Sequence, residues 1–204
     1  MNLIGQYLHY LLSSRKRHGI HSPLASFVRN ASLRPKYGRL LFRLVNFFEP
    51  TTILEIGTGL GISTAYMALA RRNAHMITLE GEEELAEEAQ LTFDQLEIDH
   101  VTIKTGPFSE QLPEVLEELN SLDFAFIDGN HRYEATVDYF YQCKSFAHNG
   151  TIMVFDDIRW SGEMMNAWQT ISNDPGVTVS IDLFFVGIVF FNEELSKVHY
   201  TLRY

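Results

Sequence analysis

The residues best placed to do chemistry are three aspartates and a glycine-rich turn, each following a short apolar run. Asp128 follows 124–127, Phe-Ala-Phe-Ile, and the pair Asp156-Asp157 follows 152–155, Ile-Met-Val-Phe. An apolar run of that length reads as a strand covered on both faces, so these acids would meet at the carboxyl edge of adjacent strands. Carboxylates held close together repel unless a cation or proton sits between them, and oxygen ligands suit hard divalent ions such as magnesium or calcium. The glycine turn lies upstream, in Glu55-Ile56-Gly57-Thr58-Gly59-Leu60-Gly61-Ile62-Ser63. Glycines at alternate positions let the backbone turn sharply and approach a ligand with no side chain between. A nucleotide-sized ligand can rest on such a turn and on the helix start behind it. The dinucleotide fingerprint G-x-G-x-x-G would need glycine where Ile62 stands.

Glu80 ends the next strand-like run and is followed by Glu82-Glu83-Glu84. A carboxylate there, one βαβ unit past the glycine turn, can accept hydrogen bonds from two ribose hydroxyls. The three later glutamates are read as favouring a helix N-terminus. Gly106-Pro107-Phe108 follows the third strand-like run. Phe108 either covers a base ring there or is a core residue of its own helix.

The elements that must position these residues follow from periodicity. Strands are expected at 52–56, 75–79, 100–105, 123–127 and 150–155. Helices are expected near 62–71, 82–97, 108–119 and 133–147, with Leu85, Ala89, Phe93 and Leu96, and Leu112, Val115, Leu116 and Leu119, at helical spacing. This alternation predicts an α/β fold with a doubly wound, mostly parallel sheet. After a helix near 161–172, the segments 177–185 and 188–191 read as a terminal antiparallel hairpin turning at Gly187. Residues 1–50 read as a helical preface, with helices at 2–14, 23–32 and 36–48, and residues 51–204 as the main domain.

Composition narrows the function. No apolar run reaches the length of a membrane span, the N-terminus lacks a signal-peptide pattern, and the single Cys143 admits no internal disulfide. A cytoplasmic protein of one domain, with no membrane partner, is expected. The charge is unevenly spread. Eight of the 16 basic residues precede Glu49, the first of 26 acids, so the remainder carries eight bases against 26 acids, or −18. The basic arm either meets an anionic substrate or docks on the acidic body of its own or a partner subunit, which leaves a homodimer open. Within it, His18 and His21 either contact substrate or are ordinary loop residues. Trp160 either walls an acceptor pocket or packs on its own helix.

The E-x-G-x-G-x-G pattern of Glu55, Gly57, Gly59 and Gly61 resembles motif I of the class I S-adenosylmethionine-dependent methyltransferases. Asp128 with Asp156-Asp157 resembles, more narrowly, the catechol and caffeoyl-CoA O-methyltransferase branch or a close sister group, over roughly residues 36–191. That resemblance implies a Rossmann-like fold and S-adenosylmethionine held by Glu55, Gly57, Thr58, Gly59, Gly61, Ser63, Glu80, Gly106, Pro107, Phe108 and Asp128. It implies a divalent metal such as Mg²⁺ on Asp128, Asp156 and Asp157, with Asp157 standing where the family has asparagine. His131 stands where the family has a lysine base, so His131 and Asp128 are the implied catalytic residues. Histidine suits proton transfer near neutral pH; alternatively His131 caps the helix that carries Tyr133 and Val137. The implied activity is O-methylation of a small hydroxylated molecule. Two alternatives stand beside it. One is a tRNA- or RNA-modifying enzyme of the same fold, although a body near −18 disfavours a broad nucleic-acid footprint. The other is a non-catalytic nucleoside-binding or scaffold protein.

Overall fold

The computed structural model describes residues 35–204. The helices expected at 2–14 and 23–32, both candidate histidines of the preface and most of its basic residues lie outside the described residues.

Helix α1 (Pro35–Phe48) opens the described chain, with Tyr37, Leu41 and Val45 buried at four-residue spacing. An alternating series follows: β1 (Thr52–Ile56), α2 (Ile62–Ala70), β2 (His75–Glu80), α3 (Glu83–Gln95), β3 (Val101–Thr105), α4 (Phe108–Leu119), β4 (Leu122–Ile127), α5 (Tyr133–Lys144) and β5 (Ala147–Phe155). The chain then forms α6 (Gly162–Asn173), β6 (Val179–Asp182), β7 (Gly187–Phe190) and β8 (Val198–Thr201). The strands make one sheet in the order β3-β2-β1-β4-β5-β7-β6-β8. The first five are parallel, while β7 runs antiparallel to both β5 and β6. This is the expected doubly wound sheet with its terminal hairpin.

Period-two alternation in the strands divides the core between the two faces. Ile53, Met76, Phe124, Phe126 and Val154 face a cluster completed by Leu41 and Val45 of α1, Ala65 and Met67 of α2, and Phe93 of α3. Leu54, Ile56, Ile77, Ala125 and Phe155 face the opposite cluster, completed by Leu112 and Leu116 of α4, Phe140 and Cys143 of α5, and Ile171 of α6. Phe93, Phe124, Phe126, Phe140 and Phe155 are fully buried, each contributing about 1.5–3 kcal/mol through removal from water. Cys143 is among the buried residues, and burial pushes its thiol up to about 12, which suits packing and not nucleophilic attack.

Three boundaries depart from the sequence reading. β5 begins at Ala147, where α5 was expected still to be running; α5 ends at Lys144, after which the backbone joins the sheet through Phe146 O and Ala147 opposite Leu122. The hairpin strands are shorter than expected: β6 ends at Asp182, still paired with Gly187 and Thr201, while its carboxylate accepts hydrogen bonds from Arg159 and from the Phe184 backbone N–H of the turn that follows. β8, pairing parallel with β6, was not expected: it is four residues long with most of its side chains exposed, and it has no apolar alternation to reveal it.

Candidate active site

The first strand sets the glycine-turn half of the candidate site. Gly57, Gly59 and Gly61 have φ of 101°, 54° and 73°, a left-handed series that side-chain-bearing residues resist. The turn is pinned from behind, because the N–H groups of Gly57 and Thr58 both donate to Leu79 O, at 3.0 and 3.1 Å. Gly57 is the tightest point, since a Cβ there would lie 2.7 Å from the carbonyl oxygen of Asp128. A Cβ on Gly59 would meet nothing within 4 Å, so the outer side of the turn is open to a ligand.

Glu80 braces this open side. Its Oε2 accepts from Gly59 N–H at 2.7 Å and its Oε1 from Glu82 N–H at 3.0 Å. The carboxylate therefore stands against the middle of the turn, and its remaining lone pairs can receive a ribose diol. Glu55 has a different place. It is fully buried beneath the turn, where Oε2 accepts from the hydroxyls of Thr64 and Thr78, while Oε1 has no partner. Burial pushes its carboxyl up to about 7 against the lowering effect of those hydroxyls. Thr58 also turns inward, its hydroxyl 2.6 Å from that of Thr78, and Ser63 is buried at the start of α2. Among the residues implied for the cofactor, then, Gly57, Gly59, Gly61 and Glu80 line or shape the turn, whereas Glu55, Thr58 and Ser63 support it from below.

The third strand adds the next wall. Gly106 N–H donates to Glu80 O at 2.9 Å, and Pro107 O accepts from the N–H groups of Glu110 and Gln111, starting α4. Phe108 is half-buried against the second core cluster, edge-on to Tyr139 at 6.0 Å. A Cβ on Gly129 would stand 2.7 Å from the Phe108 ring, so Phe108 also packs beneath the loop that bears Asp128.

The fourth and fifth strands deliver the acids. Asp128 N–H donates to Ile56 O and Asp156 N–H to Ile127 O, which steps the two acids along neighbouring strand ends. Asp157, at φ 51°, donates its N–H to its neighbour Asp156 Oδ1 at 2.9 Å. His131 Nε2 lies 3.3 Å from Asp128 Oδ1 and 4.0 Å from Asp157 Oδ2. It is within ion-pair range of both yet hydrogen-bonded to neither. Loss of solvation raises the Asp128 carboxyl, with His131 opposing and Asp157 adding to the rise. Asp156 is raised well above the carboxylate range, first by burial and then by repulsion from Asp128 and Asp157. For His131, burial favours the neutral ring, but Asp128, with the charges of Asp157 and Asp156, outweighs it and raises the pKa.

Among the described residues, no group of three or more His, Cys, Asp or Glu side chains is arranged to hold a metal ion as it stands. The chemistry of the donors nonetheless fits a hard cation. Asp128, Asp156 and Asp157 repel one another, and the buried Nε2 of His131 lacks a hydrogen-bond partner.

The loop after β5 is tied down by a clamp that the sequence did not reveal. Arg159 donates to both carboxylate oxygens of Asp182 at 2.6 Å and to Phe184 O at 2.9 Å. Ile158 N–H donates to Phe185 O at 3.0 Å. Trp160 follows, 69% exposed, its ring centroid 6.4 Å from that of His131, so it stands beside the acids instead of packing under α6. An Arg-Asp pair 23 residues apart, with all of α6 between its members, has no local spacing to betray it.

Comparison with known proteins agrees with this geometry. Residues 54–158 match the family described as "Methyltransferase domain". The chain is 32% identical over 142 residues to the catechol O-methyltransferase of Niastella koreensis; the match covers 68% of this chain and 63% of that relative's length. Its fold resembles the O-methyltransferase of Bacillus cereus in complex with SAH, with a TM-score of 0.70 and 22% identity over 90% of each chain. It also resembles the SAH-bound methyltransferase PaMTH1 of Podospora anserina, with a TM-score of 0.74 and 16% identity over 95% of this chain and 89% of that one. With the glycine turn, the braced Glu80 and the matched span in agreement, this chain belongs to the methyltransferase-domain family.

Proposed function

We propose that this protein is an S-adenosylmethionine-dependent O-methyltransferase acting on a small hydroxylated molecule. The observation that carries the reading is the junction at Gly57. A turn open to a nucleoside touches the backbone of Asp128, and Asp128 faces His131. The similarity to the catechol O-methyltransferase of Niastella koreensis supports an oxygen acceptor.

In this reading Glu80 holds the ribose hydroxyls, Gly59 leaves room for the cofactor, and Phe108 with Gly106 and Pro107 borders the base. Asp128 orients the charged methionyl end. The acceptor oxygen attacks the methyl carbon in line. The carbon–sulfur bond breaks as the oxygen–carbon bond forms, sulfur keeps the bonding electron pair, and the hydroxyl proton passes to the neutral form of His131 at Nε2. Most of the acceleration comes from alignment and from charges fixed in advance. A divalent ion, held by Asp128, Asp156 and Asp157, would lower the pKa of the acceptor hydroxyl.

Transfer of labelled methyl from S-adenosylmethionine to catechol, used as a probe diol, tests the reading. His131→Ala is expected to lower kcat by about 10²–10⁴, as for loss of a general base, with cofactor affinity changed little. The metal is tested in the same assay by adding chelator and then magnesium. Activity that persists in excess chelator removes the ion and leaves His131 as base; failure of calorimetry to detect S-adenosylmethionine binding rejects the enzyme reading itself.

A further inference from the structure

His131 sits on an unusual piece of backbone. Asn130 and His131 are consecutive non-glycine residues with positive φ, 68° and 42°. The left-handed region is unfavourable for an L-residue, less so for asparagine, and such residues occur singly far more often than in pairs. The strain has an effect that can be read directly. His131 N–H closes onto Gly129 O at 2.9 Å, and this tight turn swings the imidazole back over the strand end, to 3.3 Å from Asp128.

Both flanks of the turn are gripped. Gly129 fits under Phe108 and Ile56, where a Cβ would stand 2.7 and 3.1 Å from their side chains. Asn130 donates from Nδ2 to the hydroxyl of Tyr139 at 3.2 Å. Tyr139 lies on α5, buried, its ring edge-on to Phe108. Without this bond the Tyr139 hydroxyl would lose the one hydrogen bond it makes among the described residues, and Asn130 would lose its tie to α5. Asparagine is suited to both tasks: it tolerates this conformation and carries an amide long enough to reach the ring.

We propose that Asn130 and Tyr139 form the device that positions His131: their hydrogen bond locks the left-handed turn that aims the imidazole at Asp128. The inference rests on the proposed function in assigning His131 a role in turnover. Asn130 is a positioning residue here, acting through His131 without contact with the reacting atoms.

Three variants test it. Asn130→Ala removes both the amide and the tolerance for positive φ. Asn130→Gly restores the backbone freedom only, and Tyr139→Phe removes only the hydroxyl. Methyl transfer to catechol is measured with the affinity for S-adenosylmethionine. The ¹H–¹⁵N signals of the histidine rings are recorded in parallel, with His131 identified by the loss of its signal in His131→Gln. Asn130→Ala is expected to lower kcat about ten-fold while the catechol KM and the cofactor affinity stay within about two-fold, as befits a misaimed group. The His131 ring signal should shift. Asn130→Gly should recover part of the loss, and Tyr139→Phe should add little on top of Asn130→Ala. An unshifted ring signal with kcat within about two-fold of wild type in Asn130→Ala would overturn the proposal. So would equal losses in Asn130→Ala and Asn130→Gly, since these would leave the backbone no part. If the wild-type protein transfers no methyl group, the functional reading falls, while the ring signal still decides whether Asn130 positions His131.

Discussion

The two halves of the site solve the same problem, holding a loop at a strand end, with opposite materials. The glycine-turn half uses glycine wherever φ is positive, and it ties the turn with neutral backbone bonds to Leu79 and with Glu80. The acidic half uses Asn130, His131 and Asp157 at positive φ, and it is held by side chains: Tyr139 for one loop and the Arg159–Asp182 clamp for the other. Glycine leaves the first turn smooth and open on its outer side, which suits a ligand that lies along the backbone. Side-chain-bearing residues in the second half cost strain but bring chemical groups within reach of one another, which suits proton transfer. The halves meet at one point, where Gly57 passes the carbonyl of Asp128.

That meeting point gives the largest expected effect. Gly57→Ala would force an L-residue to φ 101° and drive its Cβ to 2.7 Å from a backbone oxygen that has no room to retreat. A destabilisation of more than about 3 kcal/mol is expected from strain and overpacking together. Chemical denaturation would measure it, and calorimetry should show cofactor binding lost with it. If the variant were stable and merely bound the cofactor weakly, the two halves would be separable and the comparison would lose its hinge.

The clamp of the acidic half comes next, and it should show itself through pH. Burial alone would raise the Asp182 carboxyl, but hydrogen bonds from Arg159 and from Phe184 N–H outweigh it and hold the pKa below the ordinary range. A carboxyl lowered in the folded state stabilises the fold at pH above its unfolded pKa, near 3.8, and that contribution fades as pH falls through the folded value. Arg159→Ala leaves a nearly buried carboxylate without its cation. Because Arg159 is itself partly exposed, a cost of about 2 kcal/mol at pH 7 is expected, below the range for fully buried pairs. Below the carboxylate range the variant and the wild type should converge. Thermal unfolding of both across pH 2–7 would show this; a gap that stayed constant with pH would mean that Arg159 acts by packing on Phe184 and not by charge.

The contrast also explains what could be read before the structure was known. The glycine turn, Glu80 and the parallel strands were legible because glycine spacing and apolar runs are local signals, and the sheet placed them as expected. Asp128, Asp156 and Asp157 were legible as strand-end acids. The aim of His131 was not, because it depends on two φ angles and on Tyr139, nine residues beyond Asn130. The Arg159–Asp182 pair was invisible for the same reason: it joins the loop after β5 to the end of β6 across 23 residues and shares no period with either. Short β8 escaped because its side chains are largely exposed, so no burial pattern marked it.

The smallest effect expected concerns Glu80, and it sharpens the comparison most finely. Its two oxygens already accept N–H donors from Gly59 and Glu82, so the carboxylate braces the turn before any ligand arrives. Glu80→Gln keeps the shape but turns one acceptor into a donor facing an N–H group. The turn would lose part of its bracing and the ribose would exchange a charge-assisted bond for a neutral one, together a loss of about 1.5 kcal/mol. Cofactor affinity should therefore fall about ten-fold, since each 1.4 kcal/mol is a factor of ten. Glu80→Asp, which keeps the charge on a shorter arm, separates the two roles. If bracing dominates, Asp and Gln should weaken the cofactor alike, because neither preserves both N–H bonds. If ribose recognition dominates, Asp should retain more of the affinity than Gln. Calorimetry of the two variants against S-adenosylhomocysteine decides between them, and equal affinity in wild type and both variants would remove Glu80 from the binding site altogether.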